Sequence, residues 1–419
     1  MSTSRNSPIA NAALHHDHTF DEPLIRVALE ALRSALHDPA ELVPADATTT
    51  LPQQLPRTGV GAEAALQALS DIALTGAARL QHRGYFAHMD PPTATVTWLA
   101  AMWQAAMNQN QLHPDVAPNS RPLEARLIEW IAPYFAMHGG HLVAGSTLAN
   151  LTALWAARNL RGIRRVVASD RSHLSLRKAA DMLGLEYVQV ASNAEHQMVL
   201  SAEADYRNAV VVLTAGTVAT GAIDQYQQRN CGWLHIDAAW GGPLRFSERH
   251  APLLTLVNGA DSVGFSAHKW CFQPKGTAVI LFADADAAHA SMSYGGGYLS
   301  AANIGVAGST AATAVPFAAS LLAWGQQGLA ERVELGMSQT ATLTELIRRD
   351  SRFELWGEPT TGIVVWRPVA ARAADVRAKL RHAWVSLTDI DGDLWLRSVP
   401  ANLSADAEHV FSAVVAALD

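Results

Sequence analysis

The chain has 419 residues, of which 49% are apolar and 16% are charged, and its 31 Lys and Arg against 38 Asp and Glu give a formal charge of −7. This composition excludes disordered and collagen-like chains, and the acidic excess gives no basis for nucleic-acid binding, which needs a basic face. The only cysteines, Cys231 and Cys271, lack metal-ligand spacing, which excludes a cysteine zinc site or a disulfide framework and favours a reducing, cytoplasmic location. The first ten residues are polar, so we expect no secretory signal.

Helical patterns dominate the first part of the chain. Residues 21–37 carry apolar side chains at helical spacing, and a Pro- and Thr-rich link follows over residues 39–59. We therefore expect residues 1–60 to form an N-terminal helical arm. Further helices are predicted over residues 64–77, 95–107, 123–132 and 148–160.

Short β-branched runs then alternate with helices. The candidate strands cover residues 165–168, 187–190, 209–213, 233–236, 262–265 and 277–282. Their continuous apolar character is typical of strands covered on both faces. The pattern predicts an α/β fold, with a mostly parallel central sheet sandwiched by helices over residues 61–325. A helix from about residue 326 is expected to lead into a small C-terminal α+β domain, with strands at 362–366 and 394–398 and a last helix at 405–417.

Residues 287–330 contain no Asp, Glu, Lys or Arg. By length alone this segment would suit a membrane span, but several glycines, Asn303 and Pro316 interrupt it. We therefore predict a glycine-rich loop followed by a packed helix, with no membrane association.

Lys269 belongs to the strongest candidate motif, Ser266-Ala267-His268-Lys269-Trp270, directly after the predicted strand at 262–265. A lysine at the end of a buried strand is desolvated, which lowers its pKa and makes the neutral amine a nucleophile for aldehydes. The alternative is a lysine that reaches solvent from the strand end.

Asp237 ends another predicted core strand, in His235-Ile236-Asp237-Ala238-Ala239-Trp240-Gly241. Ligands of open α/β sheets bind outside the carboxyl ends of the strands. A carboxylate there can hold a ring nitrogen protonated, and Ala239 leaves space for a flat cofactor. The alternative is a helix N-cap at Asp237.

A glycine turn over residues 139–145 runs into Ser146, Thr147 and a predicted helix. Unpaired N–H groups and two hydroxyls at a helix start form a phosphate cradle. The alternative is that Ser146 or Thr147 is an ordinary N-cap. His173, just past a strand, is placed to stack on a planar ring, and Thr217 lies in a hydroxyl-rich segment that follows the strand at 209–213.

The order of these motifs resembles that of the pyridoxal-phosphate-dependent group II amino-acid decarboxylases, which have the type I fold of such enzymes. The most specific marks are His-Lys-Trp at 268–270 and His-Ile-Asp-Ala-Ala-Trp-Gly at 235–241. Supporting marks are Tyr85-Phe86-Ala87-His88-Met89, Asn108-Gln109-Asn110, Leu123-Glu124, Ser172-His173 with Lys178-Ala179-Ala180, Leu396-Arg397 and Asn402.

The resemblance implies pyridoxal 5'-phosphate as cofactor and decarboxylation of an L-amino acid to its amine and carbon dioxide, through a Lys269 aldimine and a quinonoid. Lys269 would bind the cofactor covalently, Asp237 would pair with its ring nitrogen, and His173 and Ala239 would flank its two faces. The remaining implied contacts are Ser146, Thr147 and Ser266 at the phosphate, Thr217 near the cofactor, and His268 beside the phosphate and reacting centre.

Tyr294 and Tyr298 lie where the family has its mobile catalytic loop, so they are candidate proton donors. The resemblance also implies a homodimer with active sites between subunits. His88 is similar to the diaminobutyrate and aspartate branches, which favours a small or polar amino acid as substrate.

The chain departs from the family pattern at Leu148, where relatives carry an acid, and at Thr310, where they commonly have Arg. Other reactions of the same cofactor therefore stay open, namely transamination, decarboxylation-dependent oxidative deamination and side-chain lyase chemistry. A non-catalytic protein of this fold is a further alternative, against which Lys269 and Asp237 argue.

Overall fold

A computed structural model describes residues 20–37, 47–225, 230–297 and 299–418. The chain divides into two units, Met1–Arg79 and Leu80–Asp419. Within the described residues, no helix combines the length and hydropathy that a membrane span requires.

The first unit contains helix α1, Glu22–His37, and helix α2, Ala62–Ser70. A 3-10 turn covers Ala47–Thr50, and one turn of π-helix, Asp71–Thr75, follows α2 directly. No residue of α1 or α2 is buried. The predicted helix over 21–37 is confirmed, whereas the one over 64–77 is divided between α2 and the π turn.

The second unit holds the other helices of the described chain. They are α3 Thr95–Met107, α4 Ser120–Ile131, α5 Ser146–Arg161, α6 Ser175–Met182, α7 Ala285–Ser291, α8 Ala314–Arg349, α9 Ala373–Lys379 and α10 Ala407–Ala416. The first helical stretch of α8 begins at Ala314, and Pro316 is tolerated in its first turn. The predicted start of a helix near residue 326 is confirmed, because a break at Gly325 divides α8 into two helices. Gly325 interrupts α8 with a non-helical backbone (φ 62°, ψ −172°).

The strands also lie in the second unit. They are β1 Tyr85–Phe86, β2 Gly139–Val143, β3 Arg165–Ser169, β4 Glu186–Val190, β5 Tyr206–Thr214, β6 Cys231–Asp237, β7 Ser262–Phe265, β8 Ala278–Phe282, β9 Ser293–Tyr294, β10 Asn303–Ile304, β11 Phe353–Leu355, β12 Val364–Pro368, β13 Trp384–Ile390 and β14 Asp393–Ser398.

The larger sheet has the order β2-β8-β7-β6-β5-β3-β4. Every neighbouring pair in the run β7-β6-β5-β3-β4 is parallel, and β8 is antiparallel to both β7 and β2. Alternate residues of β5 enter two different apolar clusters, with Val211 and Leu213 in one and Val210 and Val212 in the other. The predicted mostly parallel sheet covered on both faces is therefore confirmed.

The segment 139–143 is the strand β2, so the prediction of a glycine turn there is wrong. A Cβ at Gly140 would lie 2.0 Å from the Ile280 carbonyl oxygen, so glycine permits the close approach of β2 to β8. The turn into α5 comes later, at Gly145, whose φ of 95° favours glycine.

A second sheet has the order β1-β13-β14-β12-β11. Strands β12 and β14 confirm, within two residues, the strands predicted at 362–366 and 394–398, and α10 confirms the predicted last helix. The dipeptide β1 pairs in parallel with β13, which brings residues 85–86 to the C-terminal sheet. Because β1 has two residues, pattern analysis had no periodicity from which to detect it.

Candidate active site

A cavity of about 240 Å³ lies at the carboxyl edge of the larger sheet. Its walls come from the segments that follow β2, β3, β5, β6 and β7, because parallel strands deliver their carboxyl ends to one edge. The lining residues are Met89, Gly145, Ser146, Thr147, His173, Thr214, Gly216, Val218, Asp237, Ala239, Trp240, Ser266, His268 and Lys269. Most of the residues predicted to bind a cofactor are thus brought together.

Lys269 reaches this cavity from the loop after β7. Burial lowers the pKa of its amine to about 8, and the nearby Asp237 carboxylate opposes that shift. A substantial fraction of the amine is therefore neutral, and hence nucleophilic, near pH 8. The alternative of a lysine extended into bulk solvent does not fit this environment.

Asp237 ends β6 and is almost fully buried at 3% exposure. One carboxylate oxygen accepts a hydrogen bond from the Asn150 side-chain amide at 2.9 Å, and the other accepts from the Ala239 N–H at 3.1 Å. The next helical turn, Gly242–Phe246, is capped by Gly241, so Asp237 is not a helix N-cap.

His173 follows β3 and lines the same cavity. Its Nδ1 lies 2.8 Å from the Ser175 hydroxyl and also accepts the Ser175 backbone N–H at 3.2 Å. Burial lowers the pKa of the imidazole, and the nearby carboxylate of Asp237 opposes that shift. His173 is therefore a neutral ring with Nδ1 engaged.

Ser146 and Thr147 are the first residues of α5, and Gly145 holds the N-cap position with no side-chain cap. The Ser146 hydroxyl hydrogen-bonds the Ser266 hydroxyl, which arrives from β7. The alternative that Ser146 or Thr147 is an ordinary N-cap is thus wrong. Hydroxyls and free N–H groups at a helix start form an anion site.

His268 also lines the cavity, and its Nδ1 donates to the Thr277 carbonyl at 2.9 Å. Burial, followed by the charge of Lys275, lowers the pKa of His268 to about 4. The ring is therefore neutral, with Nδ1–H donating and Nε2 left as an acceptor.

Other predicted site residues lie outside the cavity lining. Thr217 is buried, and its hydroxyl accepts the Ala222 N–H at 3.1 Å and pairs with the Thr220 hydroxyl. His88 is exposed. Tyr294 is 56% exposed and stacks on Trp155, with ring centroids 6.1 Å apart. Tyr298 lies outside the described residues.

Two further residues at this site were not assigned a role from the sequence. Thr214, the last residue of β5, lines the cavity, and its buried hydroxyl has no hydrogen-bond partner among the described residues. Arg397 is buried on β14, donates to the Val218 carbonyl at 2.7 Å, and is close enough to influence the pKa of Lys269. Burial lowers the pKa of Arg397 to about 10. The position of Thr214 at a strand end was the signal that could have identified it.

The cavity fits a flat, phosphorylated aromatic aldehyde. Lys269 offers an amine of lowered pKa, Asp237 an acceptor for a ring N–H, and Ser146 with Ser266 a hydroxyl pair at a helix start. The unpartnered hydroxyl of Thr214 is a further polar group available to such a molecule. The described residues contain no group of three or more His, Cys, Asp or Glu arranged to hold a metal ion.

Comparison with known proteins agrees with this geometry. Residues 44–369 match the family model described as the pyridoxal-dependent decarboxylase conserved domain. An L-2,4-diaminobutyrate decarboxylase from Rhizobium meliloti (strain 1021) is 30% identical over 356 residues, covering 76% of this chain and 71% of that protein. A protein of the same name from Acinetobacter baumannii is 26% identical, covering 75% and 72%.

Among solved structures, the fold is similar to that of the glutamate decarboxylase domain of diaminobutyrate-pyruvate transaminase and L-2,4-diaminobutyrate decarboxylase from Vibrio parahaemolyticus. The TM-score is 0.84 at 20% identity, and the match covers 98% of each chain.

Proposed function

We propose residue roles and a substrate class from one premise: this chain belongs to the pyridoxal-dependent decarboxylase family. It is a carboxy-lyase that uses pyridoxal 5'-phosphate to remove carbon dioxide from an amino acid. In the proposal, Lys269 binds the cofactor covalently. The observation that carries this assignment is an amine with a pKa of about 8 in the same cavity as the buried Asp237 carboxylate.

When bound, the cofactor supplies an amine-reactive aldehyde and a protonated ring that accepts the electrons left by carbon dioxide. The Asp237 carboxylate holds the proton on the ring nitrogen, because an anion favours the cationic form of its partner. His173 and Ala239 flank the ring faces. Ser146, Thr147 and Ser266 bind the phosphate, and Thr217 supports the loop beside it through its contact with Ala222.

Decarboxylation leaves a carbanion-like centre that must be protonated after water has been excluded. His268 is assigned to the phosphate side of the reacting centre, where its Nε2 can accept a hydrogen bond. Tyr294 and Tyr298 are assigned as donors on a loop that closes over the cavity. The exposed position of Tyr294 supports a donor that arrives by movement or from a second subunit.

The proposed substrate is a short, polar L-amino acid, with L-2,4-diaminobutyrate first and aspartate second. The support is the names of the relatives, two of which are diaminobutyrate decarboxylases and one an aspartate 1-decarboxylase that is 31% identical over 236 residues. In this proposal His88 contacts the substrate from the mouth of the site.

The proposed assembly is a homodimer with active sites between subunits, and its proposed location is the cytoplasm. Helix α3 exposes a row of large apolar side chains, with Trp103 at 68% and Met107 at 67% exposure. Such a surface supports a protein interface, because isolated soluble chains seldom expose contiguous apolar patches of this kind. An active monomer at nanomolar concentration, measured by sedimentation, would remove this part of the proposal.

The test is a panel of L-amino acids incubated with the purified, cofactor-loaded protein. Diaminobutyrate and aspartate are compared with glutamate and the aromatic amino acids, and amine and carbon dioxide are both quantified. Equal amounts of amine and carbon dioxide support decarboxylation. Keto acid or aldehyde without amine would instead assign one of the other reactions of the cofactor.

A further inference from the structure

A buried chain of hydrogen bonds runs behind the cofactor cavity, and the following inference rests on the function proposed above. We propose that Asn150, His235 and Ser262 are positioning residues that hold Asp237 as an acceptor and His173 as the neutral Nε2–H tautomer. None of the three lines the cavity, and each is at most 1% exposed.

The hydrogen bonds begin at Trp233, and their direction is fixed at the other end, where the Asn150 amide donates to Asp237. An indole N–H can only donate, and it donates to the Ser262 hydroxyl at 2.8 Å. The Ser262 hydrogen is then directed to His235 Nδ1, which lies 2.9 Å away. With Nδ1 accepting, a neutral His235 carries its proton on Nε2. Burial lowers the pKa of His235 to about 4, which keeps the ring neutral.

Asn150 connects His235 to the residues of the cavity by hydrogen bonds. Its side-chain oxygen lies 3.0 Å from His235 Nε2 and accepts that proton. Its amide nitrogen donates to Asp237 Oδ2 and to the Ser175 hydroxyl, both at 2.9 Å. The opposite amide orientation would place the Asn150 oxygen against the carboxylate of Asp237, which is repulsive.

The second branch ends at His173. Because the Ser175 hydroxyl accepts from Asn150, its own hydrogen points to His173 Nδ1 at 2.8 Å. His173 Nδ1 also accepts the Ser175 backbone N–H. Two donors at Nδ1 leave the ring proton on Nε2, so His173 offers a donor to the cavity while Asp237 offers an acceptor.

Reversing the direction of these hydrogen bonds would leave one buried hydrogen without an acceptor. A protonated Asp237 could donate to a flipped Asn150, which would then donate to His235 Nε2 and move the His235 proton to Nδ1. Ser262 would receive hydrogens from both Trp233 and His235. Its own buried hydrogen would lose the acceptor that it has now. These hydrogen bonds therefore favour the arrangement in which Asp237 accepts from Asn150.

The first test is nitrogen-15 NMR of the full-length protein with labelled histidine, with and without pyridoxal 5'-phosphate. The His173 signal is assigned by its loss in His173→Gln. The wild type should show the Nε2–H tautomer and a pKa below the ordinary 6.5. In Asn150→Leu the Ser175 hydroxyl can accept from Nδ1, so the tautomer population should shift toward Nδ1–H. A wild-type His173 that is mainly Nδ1–H would overturn the proposal.

The second test uses Ser262→Ala, which removes one buried hydroxyl far from the cavity surface. Cofactor affinity should weaken about tenfold, because Asn150 is no longer held in the orientation that donates to Asp237. His235→Gln, whose amide can still donate to Asn150, should retain more affinity than His235→Phe.

Ser320→Ala is the matched control, since Ser320 is also a fully buried hydroxyl but hydrogen-bonds Phe317 and Gln273. A purely structural role for Ser262 predicts lower thermal stability with unchanged cofactor affinity, and that outcome would refute the proposal. A wild type that binds no cofactor would defeat the proposed function, whereas the tautomer measurement without cofactor would still decide the inference.

Discussion

The carboxyl edge of the larger sheet and the segment from residue 293 to residue 313 are built in opposite ways. At the sheet edge, Asp237, His173 and Lys269 come from the ends of β6, β3 and β7 and share one cavity. In the segment, regular structure within the described residues is limited to the short pair β9 and β10, and Tyr294 and Val306 are at least half exposed. The cavity that is proposed to hold the cofactor is therefore already formed by the described residues, whereas the proposed proton donors lie outside its lining.

A half-buried polar cluster next to that segment differs from the sheet-edge cavity in a second way. A cavity of about 340 Å³ is lined there by His141, His289 and Glu124. His141 and His289 hydrogen-bond each other at 3.1 Å, and both Glu124 oxygens accept from Leu142 and Gln111. These groups satisfy one another, whereas the sheet-edge cavity keeps an amine and the unpartnered Thr214 hydroxyl for a ligand.

The largest expected effect is at Lys269. Lys269→Ala should lower decarboxylation by about 10³-fold or more, since the described lining of the cavity contains no second lysine for the covalent attachment. Turnover of the best substrate, measured as carbon dioxide release, checks this. Lys379→Ala, on helix α9 of the C-terminal region, is the control and should keep wild-type activity; equal losses in both variants would indicate a general folding defect.

Asp237→Asn should lower kcat by about 10²-fold, because the amide no longer stabilises a positive charge on the ring nitrogen. The cavity shape is kept, so the visible absorbance of the bound cofactor should remain while turnover falls. Asp261→Asn is the comparison at a neighbouring strand, where the carboxylate accepts from Leu234 and lies outside the cavity. Wild-type turnover in Asp237→Asn would exclude the proposed role.

The pKa of Lys269 predicts the pH dependence of cofactor uptake by the cofactor-free protein. The neutral amine reacts, so below a pKa of about 8 the uptake rate should fall about tenfold per pH unit, and above it the rate should level off. Stopped-flow absorbance after mixing with pyridoxal 5'-phosphate measures this profile. A rate still rising steeply at pH 10 would indicate a solvent-like lysine.

The smallest effect on turnover is expected in the segment from residue 293 to residue 313. Tyr294→Phe should leave cofactor affinity unchanged, because Tyr294 does not line the cavity, and lower kcat by up to about tenfold if it donates a proton. Phe keeps the stacking on Trp155. Weakened cofactor binding in this variant would show that the segment contributes to the cofactor site directly.

Much of the fold could be predicted because the relevant signals are local. Residues 209–213 of β5 are a continuous apolar run, and helix α3 has the predicted bounds. The strand β2 was missed because its two glycines resemble a turn, and their real function is close packing against β8. The pairing of β1 with β13 joins residues about 300 positions apart, which no local pattern encodes.

The site residues also divide into those with a local sequence signal and those whose contacts depend on packing. Lys269, Asp237 and His173 stand at strand ends, where the sequence rule for α/β sheets applies. The hydrogen-bond chain through Asn150 and Ser262 could not be predicted, because it links a helix and a strand through side chains whose contact depends on packing. Thr214 also ends a strand, but the absence of a partner for its hydroxyl is evident only in the described structure.

The most direct test of the central claim is the location of the cofactor on the chain. The loaded protein is reduced with borohydride, digested, and mapped by mass spectrometry. The proposal predicts one phosphopyridoxyl group per chain, attached to Lys269, and none in Lys269→Ala. A label on Lys275, Lys178 or Lys379, or no label in a protein that decarboxylates amino acids, would contradict it.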